Sequence, residues 1–230
     1  MKPRYEDIKV LENGRKIYIY GNSAIEKRIN KKAKKVRTIK SEISEILSQV
    51  SQDINAGSEP ALVTGLILCT YERVGNDESA NSGHYGASNI EKRHIKKSKN
   101  GIILDYIAKS GVHQTKQVFD PLISSEILIR LKGKSDNDRV FSCTARQVNA
   151  YLSKFGITSK DIRTFAANKF MADALRGEPS RDRQPDRRRA FSAALASVAQ
   201  VIGHNPQTLS SMYLTPSLKK NYLESGKIRR

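Results

Sequence analysis

The segment Val201-Ile202-Gly203-His204-Asn205-Pro206-Gln207-Thr208-Leu209-Ser210-Ser211-Met212-Tyr213 joins the end of one helix to the start of another. An apolar helical pattern stops near Ile202, and Asn205-Pro206 is a cap followed by proline, a sound helix start. A histidine and a tyrosine nine positions apart, joined through such a start, can face one pocket. Taken alone the pair decides nothing. Tyr213 would serve equally as a core aromatic, and His204 as a hydrogen bonder beside a helix.

Upstream, the pattern is helical back to Pro121. Arg187-Arg188-Arg189 heads the helix that ends near Ile202, and a polar loop, Arg176 to Pro185, precedes it. Thr158 or Ser159 caps a helix reaching Leu175 and carrying Arg163, Thr144 caps Ala145 to Phe155, and Pro121 to Leu131 forms another. Downstream, Thr215-Pro216 repeats the cap-plus-proline signal. Gly101 to Lys109 alternates as a strand, with Ile103, Asp105, Ile107 and Lys109 on one face. Ser110-Gly111 is a two-residue hairpin signal that returns the chain through Val112 to Phe119 and puts Lys109 at the hairpin tip. Asn76 to Gly86, rich in Gly, Ser and Asn, is a loop. Ser58-Glu59-Pro60 starts a helix, Ala61 to Val74, that is apolar nearly all round and therefore central. Ile39, Ile43, Ile46, Leu47, Val50 and Ile54 stand at helical spacing before it. Arg15 to Tyr20 alternates as a short strand, and Lys27 to Lys40 is a run of lysine and arginine. The expected architecture is mainly α with one small antiparallel β-sheet near residues 100 to 119.

The chain has 230 residues, enough for a sizeable core, and its 41 Lys plus Arg against 23 Asp plus Glu leave a net charge of +18. Such an excess suits a polyanion, because each neutralised phosphate releases condensed counterions. Nothing approaches the roughly 18 consecutive apolar residues of a membrane span, and Met1-Lys2-Pro3-Arg4-Tyr5-Glu6 cannot form a signal-peptide core. Cys69 and Cys143 are the only cysteines, each in or beside an apolar run, which argues against a disulfide scaffold and for an intracellular location. His84, His94, His113 and His204 show no metal-ligand spacing, and Asp136-Asn137-Asp138 reads as a solvated turn. Walker-type phosphate loops are absent. No metal and no nucleotide cofactor is expected.

The His204–Tyr213 pair gains weight when it is read with Tyr71-Glu72-Arg73-Val74-Gly75, with Lys109 on its hairpin and with Asp161-Ile162-Arg163-Thr164-Phe165-Ala166-Ala167-Asn168. Arg, Lys, Arg, His, Tyr in that order resembles the active site of poxvirus-type (type IB) DNA topoisomerases. The resemblance spans roughly residues 15 to 225 and includes the basic run, the Tyr85-Gly86 loop and Phe155-Gly156-Ile157. It implies the catalytic-domain fold shared by type IB topoisomerases and tyrosine recombinases. It makes Tyr213 the nucleophile for a 3′-phosphotyrosyl link, gives Arg73, Arg163 and His204 the phosphate oxygens, and makes Lys109 the acid for the leaving 5′-oxygen. Double-stranded DNA is the implied partner of a monomeric enzyme. Lys31, Lys32, Lys34, Lys35, Arg37, Tyr85, Lys92 and Arg188 are the expected DNA contacts. Residues 1–37 read as a short strand and basic arm, and 38–230 as the catalytic domain; about 20 residues precede the arm, too few for the β-rich N-terminal domain of such relatives. Two alternatives stand beside this reading. Tyrosine recombinases share the fold but usually carry His-x-x-Arg where this chain has Lys160-Asp161-Ile162-Arg163. A non-catalytic DNA-binding module would keep the fold without the chemistry.

Overall fold

A computed structural model describes residues 5–177 and 182–228, so the middle of the expected loop between Arg176 and Pro185, and the first four residues, lie outside it. The chain runs β1 (Asp7–Val10), β2 (Lys16–Ile19), α1 (Asn22–Asn55), α2 (Glu59–Thr70), α3 (Asp77–Asn81), β3 (Ile95–Ser98), β4 (Gly101–Ala108), β5 (Val112–Val118), α4 (Pro121–Arg130), α5 (Ala145–Leu152), α6 (Ser159–Gly177), α7 (Gln184–Ile202), α8 (Pro206–Thr208) and α9 (Pro216–Ser225). Helices dominate, as expected. The sheet is the antiparallel set β3-β4-β5, and β1 and β2 make a separate hairpin.

The caps hold the helix starts where sequence put them. The Ser58 side chain accepts from the Ala61 amide, Asp120 from Ile123, Thr144 from Gln147 and Asn205 from Thr208. Several features differ from expectation: α2 ends at Thr70, short of Val74, and the expected loop Asn76 to Gly86 holds the short helix α3. The basic run and the amphipathic segment after it form one helix, α1, so the expected junction between residues 37 and 38 falls in mid-helix. Nothing between Lys27 and Ile54 breaks a helix, and the change of side-chain chemistry there marks a change of surroundings. Strands β1 and β3 are each four residues long, too short for alternation to announce them. The β4–β5 turn has three residues, because Ala108 pairs with Val112. Ser110 and Gly111 both sit at positive φ (68° and 71°), and Lys109 belongs to the turn itself.

Buried side chains fall into two clusters. The first gathers Ile39, Ile46, Val50 and Ile54 of α1, six apolar residues of α2 from Ala61 to Leu68, and inward residues of the sheet, α4 and α5. The second gathers Met171 and Leu175 of α6, Phe191, Val198 and Ile202 of α7, Leu209, Tyr213 and Tyr222. Helix α6 belongs to both, with Ile162 and Phe165 in the first and Ala166 and Ala167 in the second. Tyr71, just after α2, packs against both as well. The seam between the clusters therefore runs past Tyr71 and the N-terminal half of α6.

Leu66 on α2 is fully buried in the first cluster. Leu66→Ala is expected to cost about 2–5 kcal/mol of folding free energy, read as a lower denaturant midpoint at unchanged slope.

Candidate active site

A cleft opens at the seam, lined by Arg73, Gly75, Asn76, Tyr85, Lys109, Lys160, Arg163 and Tyr213. Four of the five expected catalytic residues face it, and the fifth, His204, packs against three of them.

Arg73 stands on an extended stretch that follows α2. The helix stops because Tyr71 turns left-handed (φ 55°) while its amide still donates to the Ile67 carbonyl. The stretch is held by the next loop. Ala87 N donates to Arg73 O and Ser88 N to Val74 O, both at 2.8 Å. Asn89, buried, accepts from Gly86 N and donates to Asn76 O, each at 2.7 Å. A Cβ on Gly86 would meet the Gly75 backbone at 2.5 Å, so only glycine lets the two loops approach this closely. The same loop lays Tyr85 along the hairpin, its amide donating to Ile107 O at 2.8 Å. Exposed Lys109 is thereby carried to the rim of the cleft.

Arg163 is 3% exposed on α6. Its guanidinium donates to Tyr71 O, to Ile202 O at 3.2 Å and towards His204 Nε2 at 2.9 Å. Burial lowers its pKa, and the Tyr213 hydroxyl and Glu72 carboxylate oppose that shift. The residue stays charged, since arginine titrates far above neutrality. Its guanidinium carbon lies 5.8 Å from the centre of the Tyr213 ring.

His204 follows Gly203, which ends α7 in the left-handed region (φ 74°). Its ring is 4.6 Å from that of Tyr213, its Nδ1 is 3.2 Å from Arg73 Nη2, and its Nε2 faces Arg163. Burial, then Arg163 and Arg73, push its pKa down to about 3, so the imidazole is neutral at pH 7. A neutral ring has one acceptor nitrogen and one N–H. Both nitrogens nevertheless face guanidinium donors, and only one of those contacts is a true hydrogen bond. An anion entering between the three groups would satisfy every donor at once.

Tyr213 ends a five-residue π-turn, Leu209–Tyr213, that continues α8. Asn168 on α6 fixes it: the side-chain amide donates to Tyr213 O at 3.0 Å, and its oxygen accepts from Thr215 N and Oγ1, both at 2.9 Å. Thr215 thus serves the tyrosine segment instead of capping α9. Sequence reading missed two residues here. Asn168 was quoted only as the end of the Arg163 motif, and Lys160, one helical turn before Arg163, lines the cleft from the same face.

The expected DNA contacts divide. Lys31, Lys34 and Arg37 are exposed on one face of α1. Lys32 instead donates to Leu214 O at 3.3 Å, beside Tyr213, and burial followed by Lys160 lowers its pKa. Lys35 donates to Gly156 O. Both ammonium groups, expected on a phosphate-tracking arm, are thus held by main-chain carbonyls in this structure. Tyr85 lines the cleft, with its hydroxyl donating to Glu91 at 3.0 Å. Lys92 is tied to Lys134 O at 2.6 Å and is absent from the cleft lining. Arg188 bonds Gln184 near the start of α7. It stands roughly 20 Å along the axis from the helix end that carries the site. Among the described residues no group of three or more His, Cys, Asp or Glu could hold a metal ion, and no helix is long and apolar enough to cross a membrane.

The family of the eukaryotic DNA topoisomerase I catalytic core matches residues 22–226. The chain belongs to this family. DNA topoisomerase 1B of Acanthamoeba polyphaga mimivirus is 24% identical over 226 residues, covering 87% of this chain and 67% of the viral protein. DNA topoisomerase I of monkeypox virus and DNA topoisomerase 1B of vaccinia virus (strain Copenhagen) are each 21% identical over 230 residues, covering 92% of this chain and 72% of theirs. The family match begins at the first residue of α1 and takes in every element of the cleft. It favours the topoisomerase over the recombinase and the silent binding module. The chain is a type IB DNA topoisomerase, which breaks and rejoins DNA strands.

A neutral His204 has a spectroscopic consequence. Its ring resonances are expected to show no protonation step near the ordinary histidine pKa of about 6.5. A midpoint there in an NMR titration would mean the two guanidinium groups do not crowd the ring. Because the folded pKa lies below the unfolded one, the linked stability is fully present above the unfolded value and is lost as pH falls towards about 3.

Proposed function

We propose that Tyr213 is the nucleophile of strand breakage and that Arg73, Arg163, His204 and Lys109 carry the remaining chemistry. The observation that supports this best is the donor set around His204, which faces itself until an oxyanion enters.

In the proposed reaction the Tyr213 oxygen attacks a backbone phosphorus and the bond to the 5′-oxygen breaks. The products are a 3′-phosphotyrosyl link and a free 5′-hydroxyl. A phenol reacts slowly on its own and needs a cationic neighbour, and the Arg163 guanidinium lies beside the ring. His204 is too weak a base to take the proton, which leaves to water. Arg73 and Arg163 bind the non-bridging oxygens and stabilise the charge that builds on five-coordinate phosphorus, while the imidazole N–H donates a further hydrogen bond. Lys109 protonates the departing 5′-oxygen. The charge that a metal supplies in other phosphoryl transfers comes here from two guanidinium groups. Resealing is the reverse attack and needs no nucleotide, because the phosphotyrosine conserves the phosphodiester. The free end rotates between the two steps and supercoils relax. A single chain holds the full set of groups, so the enzyme acts as a monomer.

Relaxation of supercoiled plasmid in chelator, with adduct trapping by denaturant, tests this reading. Tyr213→Phe should bind DNA and form no adduct, and an adduct mapped to another residue would overturn the assignment. Replacing Arg73 or Arg163 by alanine should slow cleavage by about 10²- to 10³-fold.

The DNA-tracking role now rests on Lys31, Lys34 and Arg37. Neutralising all three should lower the slope of log affinity against log salt by up to about 3, whereas Lys35→Met should leave it nearly unchanged. Equal slopes for the triple variant and the parent would return these residues to a solvated helix face.

A further inference from the structure

Arg73, Lys109, Lys160 and Arg163 line the seam, and the buried anion beside them is Glu72. It directly precedes Arg73 and is 2% exposed. Its Oε1 has no hydrogen-bond partner and lies 3.8 Å from Nζ of Lys116 on β5. Its charge acts on Arg163 from one side and on the buried Tyr106 hydroxyl from another. Lys116 also donates to Val201 O in the last turn of α7, two residues before Gly203 and three before His204. Two strand positions earlier, on the same face, buried Gln114 packs beneath Gly203, where an added Cβ would meet its Oε1 at 2.4 Å.

Lys116 therefore touches both backbone segments that deliver phosphate-facing groups: the one carrying Arg73, through Glu72, and the one carrying His204, through Val201. These segments belong to different clusters and have no direct link through helix or sheet. Placing a lysine this deep is unfavourable unless it is paired and hydrogen-bonded. Glu72 supplies the pair and Val201 the bond, so Lys116 ties the two segments a second time, beside the link that Arg163 makes from Tyr71 O to Ile202 O.

We propose that Lys116 and Glu72 form a positioning bridge that sets the separation of Arg73 and His204 for the transition state, without either touching DNA. The proposal rests on the assignment of Arg73 and His204 as phosphate-holding groups. Misplacing such groups by about 1 Å costs on the order of 10²-fold in rate.

The test is single-turnover cleavage by the full chain at saturating suicide duplex, with DNA affinity measured separately in a Tyr213→Phe background. Lys116→Met and Glu72→Gln are each expected to slow cleavage by about 10- to 100-fold with affinity unchanged. The double variant should be no slower than the slower single one, because both changes break one bridge. Lys116→Arg, which can keep both partners, should recover most of the rate. Multiplying effects, a loss of affinity in place of rate, or cleavage at the parental rate would overturn the bridge. Should Lys116→Met fail to fold, Glu72→Gln and Lys116→Arg decide: a parental rate for the former, or no recovery by the latter relative to it, overturns it. Failure of the parent to form an adduct at Tyr213 would sink the catalytic assignment first and the bridge with it. An intact parental adduct with unaffected variants sinks the bridge alone.

Discussion

The architecture of the site depends on one buried cation. Arg163 sits on the helix shared by both hydrophobic clusters, and its guanidinium reaches the Tyr71 carbonyl in one direction and the Ile202 carbonyl in the other. Stripping water from a guanidinium costs several kcal/mol unless its donors are met. Here main-chain oxygens and one imidazole nitrogen meet donors on both terminal nitrogens, while the buried Nε has no hydrogen-bond partner. Carbonyls satisfy the donors without cancelling the charge, so the group remains a full cation aimed at the cleft. That same demand draws the end of α2 and the end of α7 onto α6, and it is why Arg73 and His204 arrive beside each other from 131 positions apart in sequence.

Electrostatics then shapes the imidazole. Two guanidinium groups on a half-buried ring leave it uncharged, which suits a hydrogen-bond donor that must not repel the arginines. Positive potential is concentrated in the arginines and in the exposed lysines of α1, and in the proposed reaction a phosphate enters where donors already point. Pre-set donors of this kind cost no reorganisation when charge develops on phosphorus. The catalytic assignment proposed here uses that economy, with the phenol held by Asn168 and the hairpin lysine left free at the rim.

Much of the fold was legible because helix starts carry local signatures. Ser58-Glu59-Pro60, Thr144 and Asn205-Pro206 marked their helices correctly, since capping is decided by neighbours three residues away. The all-round apolar character of α2 announced a central helix. The unity of α1 was hidden, because a basic run and an amphipathic stripe look like separate segments when only side-chain chemistry is read. Strands β1 and β3 were too short to show a period. At the site, the order Arg73, Lys109, Arg163, His204, Tyr213 was visible through a resemblance, whereas Asn168 stood only at the end of a motif and Lys160 only as a departure from the recombinase pattern. Their importance lies in what they face. For Lys32, Lys35 and Lys92 the limit is the same: composition counts a lysine, but only packing tells whether a carbonyl already holds its ammonium group.

Sequence alone determined the net charge, the helix starts and the order of the reactive residues, because each is a local or additive property of the chain. Tertiary structure decided which lysines remain free, why His204 is neutral, and that Lys116 bridges Glu72 and Val201. Those outcomes depend on burial and on distances between segments far apart in the chain, and desolvation and Coulomb energies exist only once the clusters have closed around Arg163.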